Sequence, residues 1–249
     1  MAMMIPDNVI ANADDLGLQP SINRAILYCF EQGYINSASL LTNTEYFDET
    51  VYLIHQNPSI INIGVHVNLA EGKPVTNFDQ EAYLDSDGNW NLNMTNKKVS
   101  LLPPGANMAF AKEINAQIDK TLSAKIPITH LDSHYHIHTL PAFYKLFLKA
   151  ANSYNLKLRL AQTYSEGSWV KFTYRKYVNS LIKKSDKAYS GYFETVDEFL
   201  KNTIPRDKIT EVMLHPDFDP SNNLTDHYDS STLSKWTTFL EDRKQAKTQ

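Results

Sequence analysis

Cysteine is nearly absent: Cys29 is the single one in 249 residues. One thiol excludes an internal disulfide and fits a reducing compartment. Cys29 lies in the apolar stretch 25–30, where it reads as a small buried hydrophobe. Long hydrophobic runs are missing too, and none approaches the ~20 residues that span a bilayer. Residues 1–6 are too short for a signal peptide and lack its basic, apolar and small-residue regions. The expectation is therefore a cytoplasmic protein with no membrane partner. No dense basic run exceeds a pair such as Lys183-Lys184, the net charge is −4 and the pI about 6.1. Nothing there points to a nucleic-acid partner. Internal repeats and low-complexity linkers are also lacking.

What is present is the composition of a soluble globular protein, 42% hydrophobic and 21% charged. A chain of this length forms two small domains or one barrel, and it buries a large core without staples. Short apolar runs alternate with helix-like segments. Strands are predicted at 9–13, 37–41, 62–69, 128–131, 157–161 and 209–214. Helices are predicted from Pro20 to a stop at Gly33, near 46–56, at 106–122, 141–154 and near 196–202, and finally at about 230–243. Repeated strand-helix units predict an α/β fold with a parallel sheet. Two segments break the alternation. Residues 70–105 are polar and hold the turn signal Asp85-Ser86-Asp87-Gly88-Asn89. Residues 165–191 are rich in Tyr and Lys. Insertions of this kind form either lids or ordinary surface elaborations.

Four clusters of ionisable residues follow strand-like runs. They are Asn12-Ala13-Asp14-Asp15-Leu16-Gly17, Gly64-Val65-His66, the stretch 130–138 and Leu214-His215-Pro216. In a parallel α/β barrel the carboxyl ends of the strands meet on one face, which holds the active site. Four of the eight histidines fall within 129–139, and imidazole with carboxylate is a preferred ligand set for divalent metals. On an extended strand His130, Asp132, His134, His136 and His138 would share a side. If the strand ends near Asp132 only some of them can be ligands, and the others hold the site or touch substrate. Taken singly each cluster is weak: Asp14-Asp15 could be a helix N-cap pair, and His66 a hydrogen-bonded rim residue. His55 and His227 stand without such company and are assigned to the surface.

The segment Asn12-Ala13-Asp14-Asp15-Leu16-Gly17-Leu18 resembles the opening motif of YdjC-like carbohydrate deacetylases, which include the chitooligosaccharide deacetylases. Ile63-Gly64-Val65-His66-Val67-Asn68-Leu69 resembles the second motif. Thr129-His130-Leu131-Asp132-Ser133-His134-Tyr135-His136-Ile137-His138 resembles the third, and Leu214-His215-Pro216 the last. The resemblance runs from about residue 8 to residue 220. It implies a single domain over 1–249 with a distorted (βα) barrel of the glycoside hydrolase/deacetylase type, parallel strands inside and helices outside. It implies one divalent metal ion, Mg2+ or Zn2+, on Asp15, His66 and His134. Asp14 falls at the family's base and His215 at its late acid. Asp132, His138 and Tyr135 are then candidates for substrate contact. The implied partner is an N-acetylated sugar, and a homo-oligomer is compatible with the sequence. Leu16, Ala70, Tyr135 and Asp217 depart from the residues usual at their positions, and none is a ligand in this assignment. Two alternatives stand beside it. One is another barrel metal hydrolase, an amidohydrolase or a phosphoesterase, although those often carry His-x-His after the first strand. The other is a non-catalytic sugar-binding protein.

Overall fold

In the computed structural model, residues 5–98, 101–201 and 208–248 are described. Strand and helix alternate along them. β1 (Val9–Leu16) leads to α1 (Pro20–Gln32), β2 (Ser37–Leu40) to α2 (Phe47–Gln56), and β3 (Ile63–Val67) through α3 (Leu92–Thr95) to α4 (Pro104–Ser123). β4 (Ile128–Ser133) leads through a 3-10 turn to α5 (Tyr144–Ser153), β5 (Lys157–Leu158) to α6 (Trp169–Lys184), and β6 (Tyr192–Thr195) to α7 (Val196–Lys201). β7 (Thr210–Leu214) continues into β8 (Pro216–Phe218), β9 (Leu224–Asp226) and α8 (Ser230–Thr248). The predicted helix near 196–202 ends at Asn202, which lies outside the described residues.

Local chemistry sets the element ends. Pro20 sits in the first turn of α1, where its fixed φ suits a helix and its missing N–H is not needed. Ile22, Ala25, Ile26, Cys29 and Phe30 face the core, the i, i+3, i+4, i+7, i+8 pattern of one helix face. Gly33 closes the helix at φ 72°, a left-handed cap that glycine adopts without a Cβ penalty.

Seven strands form one parallel sheet in the order β5-β4-β3-β2-β1-β7-β6. The sheet curls into a half-barrel with helices outside, and backbone bonds bridge its two ends. Leu158 N donates to Lys187 O at 2.5 Å, Tyr189 N to Leu158 O at 3.0 Å and Thr163 N to Phe193 O at 3.0 Å. The predicted α/β distorted barrel is therefore the observed architecture. β8 and β9 form a separate antiparallel hairpin beyond β7.

The two segments that break the alternation behave differently. Residues 165–191 contain α6, with Val178 and Ile182 in the core, and run directly into β6. The described part of the other segment, 70–98 and 101–105, packs on α4. Phe78 and Trp90 stack on Phe110 of α4 at 4.9 and 5.7 Å between ring centres. The fully buried Glu113 carboxylate accepts from Val75 N, Thr76 N and Thr76 Oγ1 at 2.6–2.9 Å. Among the described residues, no helix is long and apolar enough to cross a membrane.

Candidate metal centre and active site

The site begins with an irregularity in β1. Ala13 pairs with Ala38 of β2, but Leu16 pairs with Leu40, so β1 carries one extra residue. In a regular strand Asp14 and Asp15 would point to opposite faces. The bulge, with Asp15 at φ 66°, turns both carboxylates toward the barrel mouth. Bulges re-aim side chains in this way beside active sites.

Asp15 meets two imidazoles there. His134 Nδ1 lies 2.8 Å and His66 Nε2 3.3 Å from Asp15 Oδ1. All three residues are at most 2% exposed, and their donor atoms lie within 4.8 Å of one another. Neither Asp15 oxygen has a hydrogen-bond partner in proper geometry among the described residues. A buried carboxylate left without bonds and crowded by imidazole nitrogens is a fitting cradle for a divalent cation. Both histidines are also backed by carboxylates. His66 Nδ1 meets Asp132 Oδ1 at 2.8 Å, and His134 Nε2 meets Glu71 Oε1 at 2.7 Å. Such outer partners orient a metal-binding imidazole and raise its basicity. Burial disfavours a charge on His66, yet Asp132 and Asp14 outweigh it and raise its pKa to about 10.

Asp14, His66 and Asp132 form a second group with metal-like spacing. Its two carboxylates are already paired with Arg159, which is fully buried. Arg159 Nη2 donates to Asp14 Oδ1 at 2.6 Å and Nη1 to Asp14 Oδ2 at 2.7 Å. Nη1 also lies 2.8 Å from Asp132 Oδ2, and Nε donates to Glu211 Oε1 at 2.7 Å. A bidentate guanidinium is among the strongest partners a carboxylate can have. Of the two groups, the one with Asp15 is therefore the candidate cation cradle, and Arg159 pairs with Asp14. Burial alone would raise the Asp14 and Asp132 carboxyls, but Arg159 outweighs it and holds both below the usual range. On Glu211 burial wins and pushes the carboxyl up to about 7.

A cavity of about 340 Å³ opens over these groups, lined among others by Asp14, His66, His134, Tyr135, His215 and Tyr228. Asn96 and Lys98 of the 70–105 segment reach its rim. His215 Nε2 stands 4.0 Å from Asp14 Oδ2. Burial lowers the His215 pKa, but Asp226 and Asp14 outweigh it, so the net shift is upward. Tyr135 is 42% exposed, at the cavity edge, and both Tyr135 and His136 have positive φ, 54° and 55°. This left-handed pair ends β4 and turns the histidine-rich stretch aside.

That turn decides which predicted residues meet. Asp14, Asp15, His66, His134, Tyr135 and His215 come together. Asp132, a candidate for substrate contact, is fully buried behind His66 and bonded to Arg159 and Ser39. His138, another such candidate, is fully buried under the turn, with Ser133 Oγ 2.9 Å from its Nδ1 and the Phe147 ring at 5.9 Å. His130 lies deep in the barrel, stacked on Tyr189 at 4.0 Å, and burial lowers its pKa to about 4. Gly64 faces it across the β3–β4 pair, and a Cβ there would overlap the ring.

His55 is exposed, as assigned. His227 is not: its Nε2 lies 3.2 Å from Asp15 Oδ2 and its side chain is 16% exposed. The surface assignment fails because the β8–β9 hairpin folds residue 227 back over β1. Sequence reading also missed Arg159, Glu211, Glu71 and Asp226. Two of them carried a local hint, a charge inside a predicted strand: Arg159 in 157–161 and Glu211 in 209–214.

The comparisons agree with this geometry. The sequence profile of the family described as YdjC-like protein matches residues 8–246. A carbohydrate deacetylase of Listeria monocytogenes serotype 4b (strain CLIP80459) is 32% identical over 210 residues, covering 84% of this chain and 81% of that one. A carbohydrate deacetylase of Brevibacillus brevis is 28% identical over 84% of this chain and 80% of its own. A crystal structure from Enterococcus faecalis V583, provisionally named a cellobiose-phosphate cleavage protein, superposes with a TM-score of 0.71. It is 20% identical and covers 94% of both chains, a likeness of fold. Matched by the profile from β1 to α8, with the four motifs set at the ends of β1, β3, β4 and β7, the chain belongs to the YdjC-like protein family.

Proposed function

We propose that this chain is a metal-dependent carbohydrate deacetylase that hydrolyses the acetamide of an N-acetylated sugar to acetate and an amino sugar. One observation carries the reading: a cation cradle of Asp15, His66 and His134 shares a cavity with the facing pair Asp14 and His215. The deacetylase names of the relatives support it. Asp15, His66 and His134 would hold a single divalent ion, Mg2+ or Zn2+. When bound, such an ion supplies Lewis-acid polarisation of the acetamide carbonyl and makes a water molecule more acidic.

The chain's own groups do the rest. Asp14, held by Arg159 and by Asn12 Nδ2 at 2.8 Å, stays ionised at neutral pH and accepts the proton of the attacking water. His215, its pKa raised, keeps a proton to donate to the departing amine. Asp226 takes His215 N at 2.8 Å on Oδ2 and faces its Nδ1 at 3.8 Å, which fixes the ring. Tyr135 and Tyr228 offer exposed aromatic surface to a sugar ring. A cytoplasmic setting belongs to the same proposal.

The test is acetate release from N-acetylated mono- and disaccharides by chelated protein, with Mg2+ or Zn2+ restored. Release that depends on added metal is the expected result. No release from any acetylated sugar, with turnover of phosphoesters or cyclic amides instead, would establish one of the other hydrolase classes.

A further inference from the structure

His227 has no assigned part in this chemistry, yet its surroundings are specific. Both of its ring nitrogens are buried, and neither has a hydrogen-bond partner among the described residues. Nε2 lies 3.2 Å from Asp15 Oδ2, while His66 and His134 approach Oδ1 at 3.3 and 2.8 Å. His227 therefore takes the opposite oxygen of the carboxylate and stands outside the compact three-donor group. The ring is steered there by the β8–β9 hairpin. His227 N donates to His215 O at 3.1 Å, and the preceding Asp226 accepts from His215 N.

Two of the three cradle residues have outer partners: Asp132 behind His66 and Glu71 behind His134. Asp15 is the third. It sits in a left-handed backbone conformation on a bulge, and among the described residues no hydrogen bond orients its carboxylate. An imidazole N–H is a suitable partner for one oxygen of a carboxylate whose other oxygen faces a cation.

We propose that His227 is a positioning residue of the metal centre: its Nε2–H donates to Asp15 Oδ2 and keeps Oδ1 facing His66 and His134. This inference rests on the metal reading of those three residues. It goes beyond that reading by joining the β8–β9 hairpin, which also supports His215 through Asp226, to metal affinity. Adjacent hairpin residues then serve both halves of the site.

The experiment measures Zn2+ affinity by competition with a chromophoric chelator, on purified full-length protein and on His227→Ala, His227→Gln, His227→Asn and His134→Ala. Unfolding in EDTA serves as the folding control for each. Loss of an outer partner typically weakens metal binding ~10–100-fold, and that is the expected effect of His227→Ala. A Gln amide nitrogen can occupy the place of Nε2 and an Asn amide that of Nδ1. His227→Gln should therefore recover most of the affinity and His227→Asn should not. A general packing role would not distinguish the two. The visible spectrum of the Co2+ form should be the same for wild type and His227→Gln, since no ligand changes. Unchanged affinity in His227→Ala beside lost binding in His134→Ala overturns the positioning role alone. A Co2+ spectrum that changes in His227→Gln overturns it in favour of direct ligation. Full binding in His134→Ala overturns the metal centre itself, and this inference with it.

Discussion

Replacing Arg159 with Met removes a cation that touches three buried carboxylates at once. Asp14, Asp132 and Glu211 lie 2.6–2.8 Å from its guanidinium, and none is more than 2% exposed. Breaking a buried ion pair from one side costs about 3–5 kcal/mol. Two features favour the lower end. His66 remains beside Asp132, and Glu211, already pushed up to about 7 by burial, can take a proton. A cost of about 3 kcal/mol corresponds to a fall in Tm of roughly 6–12 °C at this chain length.

The pH dependence has a definite sign. In the wild type Arg159 holds Asp14 and Asp132 below their unfolded value near 3.8. That contribution is present above the unfolded value and is lost as pH falls through the folded ones. Without Arg159 only His66 and the neutral donors Asn12 and Ser39 still oppose burial, and the expected outcome is that both carboxyls rise above the unfolded value. The folded variant then binds more protons than the unfolded chain, and its stability falls as pH rises. The gap between the two proteins should widen by at least about 1 kcal/mol from pH 5 to pH 8, less than one unit of pKa shift. Urea unfolding in EDTA, followed by tryptophan fluorescence, measures it. A gap below about 1 kcal/mol at pH 8, or one constant with pH, would refute the reasoning.

Further outcomes follow from the same contacts. Asp14→Asn should keep its metal and lose about 10²–10⁴-fold in kcat, whereas Asp15→Asn should lose metal; metal content and kcat measured side by side decide, and the reverse pattern exchanges the roles. Gly64→Ala drives a Cβ into the His130 ring and should cost about 1–3 kcal/mol as overpacking; equal urea midpoints for variant and wild type would contradict the contact. Chelation should lower Tm reversibly, because an ion on β1, β3 and the turn after β4 binds only the folded chain. At a hundredfold excess over Kd its loss removes about 2.7 kcal/mol, and calorimetry with and without EDTA shows whether it does.

Much of this protein is written locally. Periodic apolar residues, Pro20 and Gly33 define α1 without help from the rest of the chain. Strand-helix alternation dictates a parallel sheet, and a parallel sheet brings the ends of β1, β3, β4 and β7 to one face. The four polar clusters that hold Asp15, His66, His134 and His215 were legible for that reason; the choice of those residues within them came from the motif resemblance. Other features depend on partners far away in sequence. The β1 bulge that turns both Asp14 and Asp15 inward exists only in the pairing with β2. Arg159 is one charge in a short predicted strand, and its burial depends on carboxylates from β1, β4 and β7, 145, 27 and 52 residues distant. The left-handed turn at Tyr135 and His136 withdraws His138, although nothing in the run of histidines marks it out. His227 sits in a polar segment with no periodicity, and only the folded hairpin carries it to Asp15. Periodicity and turn chemistry act between near neighbours, so the sequence alone determined six of the seven parallel strands, most of the helices and the face of the site, but not α6, β6 or the β8–β9 hairpin. Burial of charge is governed by groups that meet only after folding, so the tertiary structure decided which polar residues hold that site together.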